Sequence, residues 1–326
     1  MNRVNSDKRG DDKMIIQTGM RTDIPAFYSK WFLNRIKEGY VCVRNPYNPK
    51  QVTKYSLSPE VVDLIAFCTK NPLPMLPFLD ELKPYGQYWF VTITPYGRDI
   101  EPNVPDKETV MEGFKELSDV VGADSMGWRY DPTFIDKKHS VEWHISEFEK
   151  MAEILAGYTK TCVISFIDIY KKVERNFPEA KSVRAEDRAV IGKAFVKIAS
   201  KYGMVLKPCA EGEDLAKYGA DCSGCMTVHT FETALNSRLE VPKRKKNQRN
   251  GECACLLGTD IGAYDTCSHF CRYCYANRNQ AAVHQNRLLH DPNSSLLIGT
   301  LSKTAIIKES AEKSWIVDTN YTQDSL

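Results

Sequence analysis

Between Met14 and Cys209 the chain alternates strand-like and helix-like segments at least six times, with no interdomain linker. This alternation constrains the fold more than any other feature, because strands joined by helical crossovers assemble into a parallel sheet. The strand-like runs are the one that opens at Met14 and closes at Gly19, then Tyr40–Val43, Leu64–Lys70, Tyr88–Thr94, Ser125–Tyr130, Thr161–Ile167 and Met204–Leu206. Of these Tyr88–Thr94, β-branched and aromatic, is the most strand-like. Helical faces lie between them. Phe27, Trp31 and Phe32 share a face that closes at Gly39, with Thr22 or Asp23 as cap. Val110, Phe114, Leu117 and Val121 share a second, and Ile145, Phe148, Ala152 and Leu155 a third behind the cap Ser140. A further helix runs from about Ala185 to Lys201, with Ile191, Phe195 and Ile198 inward. Seven strands, each ending in a polar loop, predict an α/β fold of the TIM-like parallel (β/α) barrel kind, with its chemistry at the C-terminal ends of the strands. A doubly wound open sheet is the alternative, but the sequence has no Gly-x-Gly-x-x-Gly loop.

The expected organisation is a disordered tail over 1–13, the barrel over 14–208, a cysteine-rich segment over 209–300 that packs on the barrel mouth, and a loose tail over 301–326. Residues 1–13 are polar and charged, unlike a signal peptide, and no apolar run is long enough to span a bilayer. A cytoplasmic, membrane-free protein is therefore expected. The net charge of +2 gives no global pull toward nucleic acid. The basic run Lys243–Arg249 lacks interleaved aromatics and reads as a solvated loop in preference to a nucleic-acid contact.

If the strand ends share one mouth, many polar groups converge there: Arg21, Thr22, Asp23, Asn45, Thr69, Lys70, Asn71, Thr92, Thr94, Glu101, Arg129, Asp131, Asp168 and Cys209. A polar, zwitterionic cofactor needs such a rim, with cations for a carboxylate, acceptors for an amine and hydroxyls for a ribose.

Eight of the eleven cysteines lie between Cys209 and Cys274. In a reducing compartment such a cluster favours metal over disulfides. Cys267-x3-Cys271-x2-Cys274 is a triplet followed by Tyr275. Three thiolates can hold three corners of a [4Fe–4S] cube and leave the fourth iron open. A structural zinc knuckle is the plainer reading, but the triplet does not divide into two ligand pairs and would need a distant fourth donor. A second set, Cys209, Cys222, Cys225, Cys253 and Cys255, could close a zinc site or a second cluster with four of its five members. Cys42, Cys68 and Cys162 read as plain buried thiols on strands.

The spacing of the triplet and the aromatic residue behind it resemble the signature of the radical S-adenosylmethionine (SAM) superfamily. The resemblance implies an open iron that chelates the amine and carboxylate of SAM and passes it an electron, cleaving the sulfonium. Longer motifs are similar to the family catalogued as domain of unknown function 1848. They are Arg21-Thr-Asp-Ile-Pro-Ala-Phe27, Thr69-Lys-Asn-Pro72, Glu101-Pro-Asn-Val-Pro105, Trp128-Arg-Tyr-Asp-Pro132, Gln248-Arg249 with Cys253-x-Cys255, and Asp260 to Ala276 through the triplet. Within that family Cys209, Cys222, Cys253 and Cys255 match best as a unit, with Cys225 as the remaining member. More distantly, Thr69-Lys-Asn71, Thr92-Ile-Thr94, Glu101-Pro102 and Arg129-Tyr-Asp-Pro132 resemble middle strands of the spore photoproduct lyase-like branch of radical SAM proteins. There the triplet follows the first strand. Here it comes last, which implies a partial or circularly permuted barrel whose triplet returns beside the N-terminal strand.

Carried over residue by residue, the resemblance puts Cys267, Cys271 and Cys274 on the cluster and Tyr275 near adenine. Thr69, Asn71, Thr92, Thr94, Glu101 and Arg129 would line the SAM site, and Asp131 sits on the same rim. The expectation is a radical SAM enzyme with an unidentified substrate, reduced by a flavodoxin- or ferredoxin-like donor and lidded by the Cys209–Cys255 segment. The alternatives are a zinc-holding nucleic-acid-binding module and an iron–sulfur electron-transfer or sensor protein without SAM turnover.

Overall fold

Six of the seven apolar runs pair into one parallel sheet, and a computed structural model describes residues 15–242, 255–311 and 313–317 of the chain. The expected tail 1–13, the basic run Lys243–Arg249, Cys253 and the last residues of the chain lie outside the described residues.

In chain order, β1 (Ile15–Gln17) leads to α1 (Ile24–Phe27) and α2 (Ser29–Glu38), and Gly39 ends α2 in the left-handed conformation at φ 73°. A hairpin of β2 (Tyr40–Asn45) and β3 (Asn48–Ser56) follows. Then come β4 (Leu64–Thr69), α3 (Leu79–Leu82), β5 (Gly86–Thr92), α4 (Lys107–Val121), β6 (Met126–Thr133), α5 (Val141–Leu155) and β7 (Thr161–Phe166). After α6 (Lys171–Asn176) and α7 (Ala185–Lys201) the chain enters β8 (Val205–Pro208). The C-terminal part holds α8 (Val228–Leu235), β9 (Arg238–Leu239), β10 (Thr259–Asp260), α9 (Gln280–Leu288), β11 (Ile306–Glu309) and β12 (Ile316–Val317).

The main sheet has seven strands in the order β10-β1-β4-β5-β6-β7-β8, with every neighbouring pair parallel. Its edge strands β10 and β8 are not paired with each other, so no closed barrel forms among the described residues. The short strand β10, which the sequence did not announce, brings the approach to the cysteine triplet beside β1, with Ile16 opposite Thr259.

Three expectations are corrected. Tyr40–Val43 leaves the main sheet, because the two-residue reversal at Pro46–Tyr47 returns the chain directly onto itself as the β2–β3 hairpin. Asn45 therefore sits in that hairpin and not at the mouth. The C-terminal segment is ordered into the fold: β11 pairs with β3, β12 pairs with β9, and Trp315 is buried. The carboxylate of Asp63 holds it there, accepting the Ser314 hydroxyl at 2.6 Å and the Trp315 N–H at 2.7 Å.

Alternation along the strands splits the core between two faces. Ile16, Ile65, Phe67, Trp89, Trp128 and Ile164 face the larger core with the helices. Phe67 stacks on Trp89 at 3.7 Å, and Phe148 of α5 stacks on Phe195 of α7 at 3.8 Å. Ile15, Leu64, Ala66, Tyr88, Phe90 and Val163 face the other way, onto Phe231 of α8, Met226, Cys225, Cys255 and Trp315. One face thus carries crossover helices, and the cysteine-rich segment covers the other.

His144 on α5 is fully buried between β6 and the loop after it. Its Nε2 lies 2.7 Å from the Phe134 carbonyl, which can only accept, so Nε2 donates there and Nδ1 accepts a hydrogen bond from the Tyr130 hydroxyl at 2.7 Å. Burial pushes its pKa down from 6.5 to about 4. The folded protein holds this ring neutral while the unfolded chain protonates it below 6.5. Stability from this group is therefore complete above 6.5 and lost as pH falls toward 4, by up to about 3 kcal/mol. Urea unfolding at pH 7 and pH 4 is expected to show this loss in the wild type, and a His144→Gln variant should show a correspondingly smaller pH dependence.

Candidate functional site: a cysteine-lined cavity at the strand ends

The C-terminal ends of β4, β5, β6 and β7 and the loops after β1, β4, β7 and β8 open on one cavity of about 300 Å³, and the triplet loop and the segments around Cys225 and Cys255 form the rest of its wall. That size is at the low end of the range for small-molecule pockets. The floor is tight where the β1 loop crosses β4. A Cβ on Gly19 would stand 2.1 Å from the Cys68 carbonyl oxygen, so only glycine permits this approach.

The carboxylate of Asp23 fixes the triplet loop to the sheet. It caps α1 through the Ala26 N–H at 3.0 Å. It also accepts the Thr69 hydroxyl at 2.7 Å, the Lys70 N–H at 2.7 Å and His269 Nε2 at 2.9 Å. His269 is buried inside the triplet, between Cys267 and Cys271. Further bonds sew the same loop down: the Tyr28 hydroxyl to the Thr266 carbonyl at 2.7 Å, and the Arg272 N–H to the Ile100 carbonyl at 3.0 Å. Phe270, next to Cys271, takes a left-handed conformation at φ 57°, strain that the surrounding bonds must hold.

Three cations near the mouth each have their own carboxylate. Lys70 Nζ lies 2.8 Å from Glu101, which also accepts the Thr94 hydroxyl at 2.7 Å and the Tyr273 hydroxyl. Arg129 bonds Asp131 through Nε at 3.1 Å and through Nη2, and Asp131 also accepts the Ser165 hydroxyl. Arg21 pairs with Asp260 at 3.1 Å, tying the β1 loop to β10. Pairing lets these charges stay buried. Two cavity-lining groups are differently placed. Among the described residues the buried Thr22 hydroxyl has no hydrogen-bond partner, and the Asp168 carboxylate accepts only a hydroxyl, that of Tyr170 at 2.9 Å.

Cys267, Cys271 and Cys274 all line the cavity, and none is in a disulfide. Burial pushes all three thiols up, so their thiolates are costly unless a cation compensates them. Cys209, Cys225 and Cys255 line the same cavity, with Cys68. The Cys209 thiol is lowered to about 6, first by a hydrogen bond from Cys225 and then by the Arg129 charge. Among the described residues no three His, Cys, Asp or Glu side chains are arranged as a finished metal site.

Of the residues expected around a cofactor, Thr69, Thr92, Arg129, Asp131 and Tyr275 line this cavity, whereas Asn71, Thr94 and Glu101 do not. Glu101 and Thr94 stand behind it and brace Lys70 and Tyr273, while Asn71 makes a turn by accepting the Leu73 N–H at 3.2 Å. Tyr275 is half-exposed at the rim, where its hydroxyl donates to the Met20 carbonyl at 2.6 Å. Cys222 also stands apart. It packs against the helix-side core, with its thiol 3.9 Å from the Ala220 carbonyl. Sequence reasoning passed over His269, Tyr273 and Ser165, and it took Cys68 for a plain core thiol. Only the positions of His269 and Tyr273 inside the triplet signalled a role.

Fold and site together define an α/β protein with a thiol-rich cavity at the C-terminal ends of a parallel sheet. The chain belongs to the family described as Domain of unknown function (DUF1848), whose model matches residues 15–276, from β1 to just past the triplet. No curated protein and no solved structure matches the chain.

Removing the Asp23 carboxylate leaves several buried donors unmatched, each costing about 1–3 kcal/mol. Asp23→Ala is expected to lower stability in urea unfolding by about 3 kcal/mol or more. A loss under about 1 kcal/mol would mean that the carboxylate does not hold the triplet loop.

Proposed function

We propose that this protein is an iron–sulfur enzyme of the radical SAM type, acting on a small substrate held in the strand-end cavity. The observation that carries the reading is the sharing of one cavity by all three triplet thiols and the polar ends of six strands. The donor set fits the group. Three thiols, each raised by burial and none in a disulfide, are poor as free acids but good ligands once a metal supplies positive charge. Three protein ligands on a four-iron cube leave one iron for a small molecule.

Cys267, Cys271 and Cys274 would hold the cluster, which when bound supplies one electron for reductive cleavage of a sulfonium. The rest of the wall has binding work. Thr22 and Thr92 offer hydroxyls, Asp168 offers a carboxylate to an ammonium group, and the Tyr275 ring at the rim offers a flat face to a heterocycle. Arg129 and Lys70, already paired with Asp131 and Glu101, set the field of the wall without carrying net charge. A flavodoxin- or ferredoxin-like protein is the proposed reductant. No described helix is long and apolar enough to cross a membrane.

Anaerobic reconstitution tests the reading. The wild type is expected to bind iron and sulfide, to give a reduced-cluster EPR signal that changes on adding SAM, and to release 5′-deoxyadenosine with dithionite. Cys271→Ala should lose all three. Iron with a signal indifferent to SAM would reduce the protein to electron transfer or sensing, and zinc at the triplet would end the redox reading.

A further inference from the structure

Of the five cysteines expected in a second set, Cys253 lies outside the described residues, and the position of the other four divides them. In Cys222-Ser-Gly-Cys225 the turn passes through Gly224 at φ 117°, and it sends the two thiols to opposite sides. Cys222 goes to the helix-side core, whereas Cys225 goes to the other face of the sheet and the cavity. There Cys225 Sγ lies 3.9 Å from Cys209 Sγ and 3.6 Å from Cys255 Sγ. On a zinc ion with Zn–S bonds of about 2.3 Å, neighbouring sulfurs stand about 3.8 Å apart. Both contacts match that edge.

The backbone holds the trio in place. The Cys209 N–H extends β8 by donating to the Ile164 carbonyl at 2.8 Å, and Ala210 immediately after it is strained at φ 60°. Lys207 and Asp221 pair at 2.9 Å and clasp the Cys222–Cys225 turn against β8. The Leu256 N–H donates to the Met226 carbonyl at 2.7 Å, which sets Cys225 and Cys255 side by side. Donors already point at the sulfurs, as outer-shell partners of metal thiolates do. The Met226 N–H is 3.5 Å from Cys255 Sγ, and Arg129 Nη1 is 3.8 Å from Cys225 Sγ.

We propose that Cys209, Cys225 and Cys255 form a three-thiolate zinc site; no fourth Cys, His, Asp or Glu joins them among the described residues, and the remaining coordination position opens into the cavity. Among the described residues the trio is an open chain of two contacts with Cys225 in the middle, not a finished cage. Binding closes the third edge and releases the protons that the thiols still hold. Three protein ligands and one exchangeable position is the pattern of a working zinc site, not a structural one. The exchangeable position suits a soft donor, a thiol or thioether sulfur, on a molecule lodged between the two thiol groups. The site goes beyond the radical SAM reading and does not need a cluster at the triplet.

Metal content per chain tests it in full-length wild type, Cys225→Ser, Cys222→Ser and Cys271→Ala, purified without added iron and with zinc supplied. Wild type, Cys222→Ser and Cys271→Ala are expected to keep one zinc through gel filtration, and Cys225→Ser should lose at least tenfold. Because Cys225→Ser could misfold, the wild type is also loaded with Co²⁺. Sulfur-to-cobalt charge-transfer absorption of three thiolates, with the visible bands shifting on adding a small thiol, is the supporting result. The proposal is overturned by zinc loss in Cys222→Ser, by zinc loss in Cys271→Ala, by retention in Cys225→Ser, or by a cobalt spectrum without thiolate bands. A Cys209–Cys225 disulfide in the non-reduced mass spectrum, or iron and sulfide in place of zinc at the trio, would overturn it equally. Loss of the EPR response to SAM with zinc intact would sink only the triplet reading.

Discussion

The carboxylate of Asp23 is the point on which the site depends. It accepts from the first turn of α1, from the end of β4 and from His269, a residue 246 positions away in the chain. A buried carboxylate is stable only with such donors, and each donor is in turn fixed by it. The N-terminal loop, the β4 loop and the triplet loop are therefore one mechanical unit. Glu101 repeats the arrangement one strand over, joining Thr94, Lys70 and Tyr273. Both acids hold the triplet loop from below, at His269 and at Tyr273, on either side of Cys271.

The two faces of the sheet have divided the labour. Crossover helices cover one face with a core of stacked aromatics, which gives the strands a rigid frame. The other face is covered late in the chain by α8, the cysteines around it and Trp315. Because that cover arrives from a different part of the sequence, the cavity lies at a junction between the strand ends, the triplet loop and the cover. Ligand sites commonly occupy such junctions, where loops from a rigid scaffold meet. The charge arrangement follows: Asp168 lines the cavity without a cation among the described residues, and Lys70, Arg129 and Arg21 are each matched by an acid. The chemistry at this wall is therefore left to the thiols.

The sequence made the parallel α/β character legible, because the period of the apolar residues changes from two to about 3.6 at each crossover. It also made the triplet legible, since ligand spacing along a chain is a local property. It could not show that Tyr40–Val43 leaves the main sheet, because a strand's composition says nothing about its partner. Nor could it show β10 or β11: the first is two residues long, and the second is fully exposed and held by backbone pairing to β3. The division of Cys222 from Cys225 was hidden for a related reason, since it turns on the backbone direction through Gly224 and the clasp of Lys207 on Asp221.

By itself, then, the sequence determined the class of fold, the loops that carry polar groups and the three triplet thiols, because each is encoded within a few neighbouring residues. The tertiary structure alone decided that the sheet stays open at β10 and β8 and that Glu101 and Thr94 stand behind the cavity wall. It alone also decided that six clustered thiols share one chamber with Cys68. Those outcomes depend on which distant surfaces meet. Burial and long-range hydrogen bonding set that meeting, and no local pattern records it.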